Sequence, residues 1–281
     1  MKINELLAFG YETLKKKNIE SFVLDTELIL TLVLKKNREW ILSHPEFIVN
    51  KKAEKKFFKL IIKRAKNYPI AYMFGHKYFY DLKFKVNKNV LIPRPETEIL
   101  IEATFEVANL RGCQPSRLTI LDIGCGCGNI AITFAHKLQN TKIIASDVSK
   151  HALNMAKKNA KLNNVYNKIE FIKSDLLKNI KDKKIDIIVA NLPYIKNDYK
   201  TIKYEPRKAL YSSKDGLGHY KKLLYQIIEL KFNPIYIFFE IEPSQVETLT
   251  NFTKKLFKKP TIEIKKDLNG FDRVFIIKSI F

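Results

Sequence analysis

Apolar positions in the first 70 residues recur at helical spacing. Ile3, Leu6, Leu7 and Leu14 fall near one face, and Asp25 stands where it can cap a segment carrying Leu28, Ile29, Leu32 and Val33. A third helix is predicted over about 51–65, with Phe57, Phe58, Leu60, Ile61 and Ile62, and Pro45 and Pro69 punctuate the set. Stripes of this kind are what a helical bundle buries as core. No cluster of chemically active side chains accompanies them. From Tyr78 the period shortens to two, as Phe79, Leu82, Phe84 and Val86 alternate with charged or turn residues. That predicts a hairpin bridging the helices to a second domain.

After Pro93 and Pro95 a helix is predicted to start near Glu96 and run through Ile99, Leu100, Ala103 and Phe105, with first-turn acids complementing its dipole. Apolar runs at 118–123, 142–146, 169–172, 185–190 and 235–241 then alternate with helical stretches. Alternation of that kind builds a doubly wound parallel sheet. The last pair, 261–264 and 273–278, is joined by a Gly-containing turn and reads as an antiparallel hairpin closing the sheet. The expected fold is therefore α/β, a seven-stranded Rossmann-like domain behind a small all-helical one. The expected boundaries are 1–75 for the helices, 76–92 for a hairpin linker and 93–281 for the sheet domain.

Composition narrows the field. The longest nearly apolar run, 28–34, is interrupted by Thr31 and falls far short of a bilayer span. The opening Met1-Lys2-Ile3-Asn4-Glu5-Leu6 lacks the basic-then-apolar order of a signal peptide. A cytoplasmic protein with no membrane partner is expected. Three cysteines, Cys113, Cys125 and Cys127, suggest neither a disulfide framework nor a zinc site, and no other metal site is expected. The net charge of +22 raises the question of nucleic acid. It comes from 44 Lys and only 7 Arg, scattered along the chain with 21 Asn. Base and phosphate readers favour Arg forks, so a solvated basic surface is expected and no nucleic acid is required.

The first predicted strand ends in Gly124-Cys125-Gly126-Cys127-Gly128-Asn129. A glycine loop at a strand's C-terminal end lets a ligand approach the backbone. A dinucleotide fingerprint wants its third glycine at position 129, which is Asn here. The spacing present is the form used for S-adenosylmethionine, although a tight structural turn would look the same. Cys125 and Cys127 read as small spacers. Asp147, 23 residues after Gly124, closes the next strand at about the 20-residue distance of a ribose-gripping acid. The alternative for it is a helix-start acid before Ser149. Ser174-Asp175-Leu176 follows the third strand, where an adenine would rest.

The fourth strand runs into Asn191-Leu192-Pro193-Tyr194. An amide nitrogen is a poor nucleophile because its lone pair is delocalised, so methyl transfer gains from holding it in line with a sulfonium methyl. An Asn side-chain oxygen and a backbone carbonyl can accept its two hydrogens, and a Tyr ring can pack on the planar group.

With these segments the chain resembles the bacterial peptide chain release factor glutamine methyltransferases. The resemblance covers essentially the whole sequence. It is carried by Pro69-Ile70-Ala71-Tyr72 with Gly75, by Leu91-Ile92-Pro93-Arg94-Pro95-Glu96-Thr97-Glu98, and by the glycine loop, Asp147 and Asn191 to Tyr194. Glu205-Pro206 with Ala209-Leu210, Asp215-Gly216-Leu217 and Asp272-Arg273-Val274 complete it. The resemblance implies that Gly124, Cys125, Gly126, Cys127, Gly128, Asp147, Leu176 and Asn191 bind S-adenosylmethionine. It implies that Asn191, Leu192, Pro193 and Tyr194 hold the glutamine of a release factor's Gly-Gly-Gln motif, with Asn191, Pro193 and Tyr194 catalytic. The helical domain is expected to recognise the protein substrate.

Two departures stand out. The family clamp usually reads Asn-Pro-Pro-Tyr, and Leu192 replaces the first proline, freeing a φ angle that Pro would fix. Glu242 and Pro243 stand where the family shows a glycine and a variable residue, a change expected to bear on a neighbouring loop and not on the clamp. The rival readings are a glutamine methyltransferase of a ribosomal protein, a DNA or RNA adenine amino-methyltransferase, and a noncatalytic binder that kept the fold.

Overall fold

The computed structural model describes residues 1–112, 118–180, 183–195 and 203–278. It divides into two compact units, Met1–Gly75 and His76–Phe281. The first is helical, with α1 (Ile3–Lys15), α2 (Phe22–Leu34), α3 (Arg38–Ser43), α4 (Lys51–Arg64) and α5 (Ile70–Phe74). Ile3, Leu6, Leu14, Ile29, Leu30, Ile41, Phe57 and Ile61 are fully buried in one core. Helices α1 and α2 meet closely at Gly10, where a Cβ would lie 2.3 Å from Thr26 Cγ2. Asp25 is not the cap expected of it. The helix starts earlier, at Phe22, and Asp25 lies buried inside it. Its carboxylate accepts from Arg64 Nε at 2.7 Å and from the Ser21 hydroxyl at 2.8 Å. A buried carboxylate needs such partners, and α4 supplies the charged one. Helices α3 and α5, of six and five residues, are too short to show a period.

The second unit opens with the hairpin β1 (His76–Phe79) and β2 (Leu82–Lys85). The hairpin belongs to this unit's core and is not a free linker: Phe84 is fully buried and Phe79 nearly so. Lys85 N donates to Asn159 Oδ1 at 2.7 Å, and Asn159 Nδ2 donates back to Lys85 O at 3.0 Å. There follow α6 (Thr97–Gly112), β3 (Thr119–Ile123), α7 (Asn129–Lys137), β4 (Lys142–Asp147), α8 (Lys150–Leu162), β5 (Ile169–Lys173) and β6 (Ile187–Ala190). Then come α9 (Gly218–Glu229), β7 (Tyr236–Glu240), α10 (Val246–Leu256), β8 (Thr261–Lys266) and β9 (Asp272–Lys278).

Strands β3 to β9 form one sheet in the order β5-β4-β3-β6-β7-β9-β8. The first five are parallel, and β9 runs antiparallel to both β7 and β8. Both faces are covered, so the central strand β6 is apolar throughout and its neighbours β3 and β7 nearly so, while the edge strands β5 and β8 carry charged residues. Ile120, Ile143 and Ala145 enter a core shared with α6, α7 and α8, while Leu121 and Ile144 enter one shared with α9 and α10. The chain steps from β3 to β4 and β5, then returns to the other side of β3 as β6. That reversal opens a crevice at the C-terminal ends of β3 and β6, where such sheets take ligands. Among the described residues no helix is long and apolar enough to cross a membrane.

Candidate functional site

One half of the crevice is backbone. Gly124 N and Cys125 N both donate to Ser146 O, at 2.8 and 2.9 Å, and Gly128 N donates to Cys125 O at 2.7 Å. This folds the loop after β3 against the end of β4. Its glycines have φ values of +74°, +55° and +86°. At Gly128 a Cβ would lie 2.9 Å from Ile132 Cδ1 and 3.0 Å from Ala156 Cβ, so the residue lets α7 pack on α8. At Gly126 the nearest atom would be 4.0 Å away, in the loop itself. That side of the loop is open to a ligand.

Cys125 and Cys127 are buried. Burial pushes the Cys127 thiol up to about 12 and the Cys125 thiol well above its usual value, so neither is a ready thiolate. Cys113 lies outside the described residues. Asp122 is fully buried; its Oδ2 accepts from Ala131 N at 3.1 Å in the first turn of α7, while Oδ1 has no hydrogen-bond partner. Burial pushes this carboxyl up to about 8 against the Ala131 bond, and Asp147 adds to the rise.

Asp147 ends β4 with Oδ2 accepting from Gly126 N at 2.9 Å and Oδ1 from Ser149 N at 2.7 Å. Burial raises its pKa, and these two bonds oppose the rise. Both oxygens are thereby oriented, and each keeps a further acceptor position. The helix-start role belongs to Ser149, whose Oγ accepts from Ala152 N at 3.2 Å. Ser174 N donates to Asp147 O at 3.1 Å, bringing the end of β5 alongside. There Leu176 is buried in the core at φ +56°, and Asp175 pairs with Lys222 Nζ at 2.7 Å. An open glycine backbone, a helix N-terminus and a carboxylate with two aimed oxygens fit an adenosyl group with its ribose diol.

The other half is side chain. Ile123 pairs with Ala190, so the segment after β6 begins beside the glycine loop. Asn191 Nδ2 donates to Thr97 Oγ1 at 3.0 Å and to Glu240 Oε2 at 2.8 Å. Its Oδ1 makes no hydrogen bond among the described residues. Tyr194 Oη donates to Glu240 Oε1 at 3.3 Å, and burial pushes this phenol up. Glu240, at the end of β7, is 2% exposed. Burial raises its pKa; bonds from Thr97 and Tyr194 and the charge of Arg273 pull the other way. A cavity of about 120 Å³ is lined by Asn191, Pro193, Tyr194, Glu240, Leu91 and Arg94, among others.

The structure separates the roles within the tetrapeptide. Leu192 is buried, with its side chain turned toward the glycine loop: a Cβ on Gly124 would lie 2.9 Å from Leu192 Cδ2. Its carbonyl accepts from Tyr220 Oη at 3.3 Å, and the same hydroxyl bonds the Glu240 carbonyl. The Pro193 carbonyl makes no hydrogen bond among the described residues. Tyr194 O accepts from Gln245 Nε2 at 3.1 Å, and Gln245 Oε1 accepts from Glu242 N at 3.0 Å. The stretch around Glu242 and Pro243 therefore reaches the clamp, contrary to expectation, because a short capped turn there aims Gln245 at Tyr194.

Thr97, Tyr220, Glu240 and Gln245 are the site residues that sequence reasoning passed over. A signal existed for Glu240, an acid closing an apolar strand at the ligand edge of the sheet. Arg94 pairs with buried Glu205, whose Oε2 accepts from Ile92 N at 3.0 Å, tying two of the matched segments together. Among the described residues no group of three or more His, Cys, Asp or Glu is placed to hold a metal.

Comparison with known proteins identifies the family. The pattern of the Methyltransferase small domain matches residues 98–211, and that of the PrmC N-terminal domain matches residues 5–75. The human METTL16 N-terminal domain, solved in complex with SAH, shares the fold at a TM-score of 0.52 and 16% identity, over 89% of this chain and 93% of that one. The release factor glutamine methyltransferase of Dictyoglomus turgidum is 36% identical over 97% of this chain and 96% of its own. The Clostridium botulinum enzyme of the same name is 38% identical over 98% of both chains. By that likeness across its whole length, the chain belongs to the release factor glutamine methyltransferase family.

Proposed function

We propose that this protein transfers a methyl group from S-adenosylmethionine to the side-chain amide nitrogen of the glutamine in the Gly-Gly-Gln motif of peptide chain release factors. The observation that carries the reading is Asn191. Both its N–H groups are used inside the protein and its Oδ1 makes no bond among the described residues, so Oδ1 serves the reaction as an acceptor, beside a loop open at Gly126. S-adenosylmethionine supplies a methyl group on a positively charged sulfur. Gly124, Gly126 and Gly128 hold it by backbone, with Cys125 and Cys127 between them, and Asp147 accepts from the ribose hydroxyls. The adenine rests at the end of β5, where Ser174 lies alongside Asp147 and Leu176 packs into the core behind.

Asn191 Oδ1 and the Pro193 carbonyl accept the two amide hydrogens of the glutamine, and the Tyr194 ring packs against its plane. Leu192 contributes by fixing the backbone, since its own carbonyl is turned to Tyr220. As the nitrogen–methyl bond forms and the sulfur–methyl bond breaks, positive charge grows on the amide nitrogen, so both hydrogen bonds strengthen when they matter; S-adenosylhomocysteine is the leaving group and the strongly acidic methylated amide then loses a proton to solvent. The helical unit over 1–75 selects the protein substrate; it has an apolar core and no cluster of reactive side chains. The reaction belongs in the cytoplasm and needs no nucleic acid.

Mass spectrometry of purified release factor incubated with the protein and S-adenosylmethionine tests this. A single methyl gained on the Gly-Gly-Gln peptide, unaffected by nuclease treatment, is expected. Methylation of a ribosomal protein or of adenine in nucleic acid, with release factor untouched, would replace the proposal.

A further inference from the structure

We infer that Glu240 is a positioning residue that sets the polarity of the clamp, and that it thereby makes the site choose glutamine over glutamate. The inference rests on the proposed role of Asn191. An asparagine amide presents a donor or an acceptor to a ligand depending on which way it is turned. Glu240 accepts at both oxygens, from the Tyr194 hydroxyl at Oε1 and from Asn191 Nδ2 at Oε2, 2.8 Å away, and so holds the Nδ2 end of Asn191 toward the interior. Thr97 Oγ1 accepts from the same Nδ2 at 3.0 Å. Thr97 and Glu240 are 1% and 2% exposed, so water does not compete for these positions. The buried Glu240 and Thr97 thus take both N–H groups of Asn191, and Oδ1 is left without a bond among the described residues, on a side chain that lines the cavity.

The consequence is chemical selection. A glutamine brings N–H donors to Asn191 Oδ1 and the Pro193 carbonyl. A glutamate brings a carboxylate that would face two acceptors, with no proton to share. Without Glu240 only the Thr97 hydroxyl remains beside the amide, and a hydroxyl can donate to Oδ1 as readily as it accepts from Nδ2. The amide can then turn over, presenting N–H to the cavity and losing the choice.

The test compares Glu240→Leu with Glu240→Gln in the full chain. The glutamine variant keeps an oxygen for Asn191 and should stay within a few-fold of wild type. The leucine variant should bind S-adenosylhomocysteine normally and lose kcat on the order of tenfold or more, with KM little changed. It should also become more sensitive to inhibition by release factor whose acceptor glutamine is replaced by glutamate. If Glu240→Leu does not fold, Thr97→Val, which removes one of the two acceptors, should lower kcat in the same way at unchanged KM. Unchanged kcat in whichever variant folds, with the glutamate competitor still ignored, overturns the role of Glu240. Wild-type turnover in Asn191→Ala would instead overturn the clamp itself, so the two failures are distinguishable.

Discussion

The two halves of the crevice are made of different material. The glycine loop is a short stretch whose backbone amides and open side form the surface, and it needs one distant carboxylate, Asp147. The clamp is a single asparagine held by side chains 94 and 49 residues away, Thr97 and Glu240, on the far sides of the sheet's connectivity. A surface of backbone survives changes of side chain, provided no Cβ intrudes. A surface of buried polar side chains depends on the direction of every hydrogen bond in it. Damage to the first half should therefore appear as lost affinity, and damage to the second as lost turnover.

The largest effect should come from the clamp. Asn191→Ala removes a preorganised acceptor that strengthens in the transition state, a loss of about 3 kcal/mol or on the order of a hundredfold in turnover. Affinity for S-adenosylhomocysteine, measured by calorimetry, should change far less. A parallel fall in both would mean that the two halves are one. Asp147→Ala is the mirror experiment. It should weaken cofactor binding by roughly 1.5 to 3 kcal/mol, the scale of a charged hydrogen-bond partner lost. Turnover at saturating cofactor should survive. Calorimetry giving wild-type affinity would remove Asp147 from the cofactor site.

The same contrast explains what could be read from the sequence. The strands are legible because a sheet buried on both faces leaves continuous apolar runs, and the glycine loop because its three glycines lie in one contiguous string. Asn191 is legible through its neighbours Pro193 and Tyr194. Glu240 shows only as an acid closing an apolar strand; its partners are set by sheet order, and nothing local says that the end of β7 lies beside the end of β6. Thr97 sits in a matched string without a visible purpose until α6 places it against Asn191. Asp25 misleads because an acid near a helix start fits a cap, and only the packing of α4 supplies Arg64.

Two glycines sharpen the comparison inside the backbone half. Gly128→Ala adds a Cβ 2.9 Å from Ile132 Cδ1 and 3.0 Å from Ala156 Cβ at a φ of +86°, so it should destabilise the fold by about 1 to 3 kcal/mol. Gly126→Ala meets nothing closer than 4.0 Å and bears mainly the left-handed backbone cost of about 1 kcal/mol. Its methyl projects to the open side, so cofactor affinity should suffer more than stability. Paired melting and binding measurements decide it; the same balance of losses in both variants would show that Gly126 does not face the ligand.

The smallest effect is expected from the cysteines between those glycines. Cys125 and Cys127 turn their sulfurs into the interior, so only their backbone belongs to the binding surface. Cys127→Ala should leave cofactor affinity within about 0.5 kcal/mol of wild type, the range of changes that touch no special feature of the site. Alkylation offers an independent reading. Because burial pushes the Cys127 thiol up to about 12, the reactive thiolate is scarce at pH 8 and grows only as pH climbs toward that value. Peptide mapping after iodoacetamide treatment at pH 8 should find Cys127 essentially unmodified in the folded protein and modified once denaturant is added. Ready labelling in the folded state, or a large loss of affinity in Cys127→Ala, would mean that a sulfur reaches the ligand and that this half is not built from backbone alone.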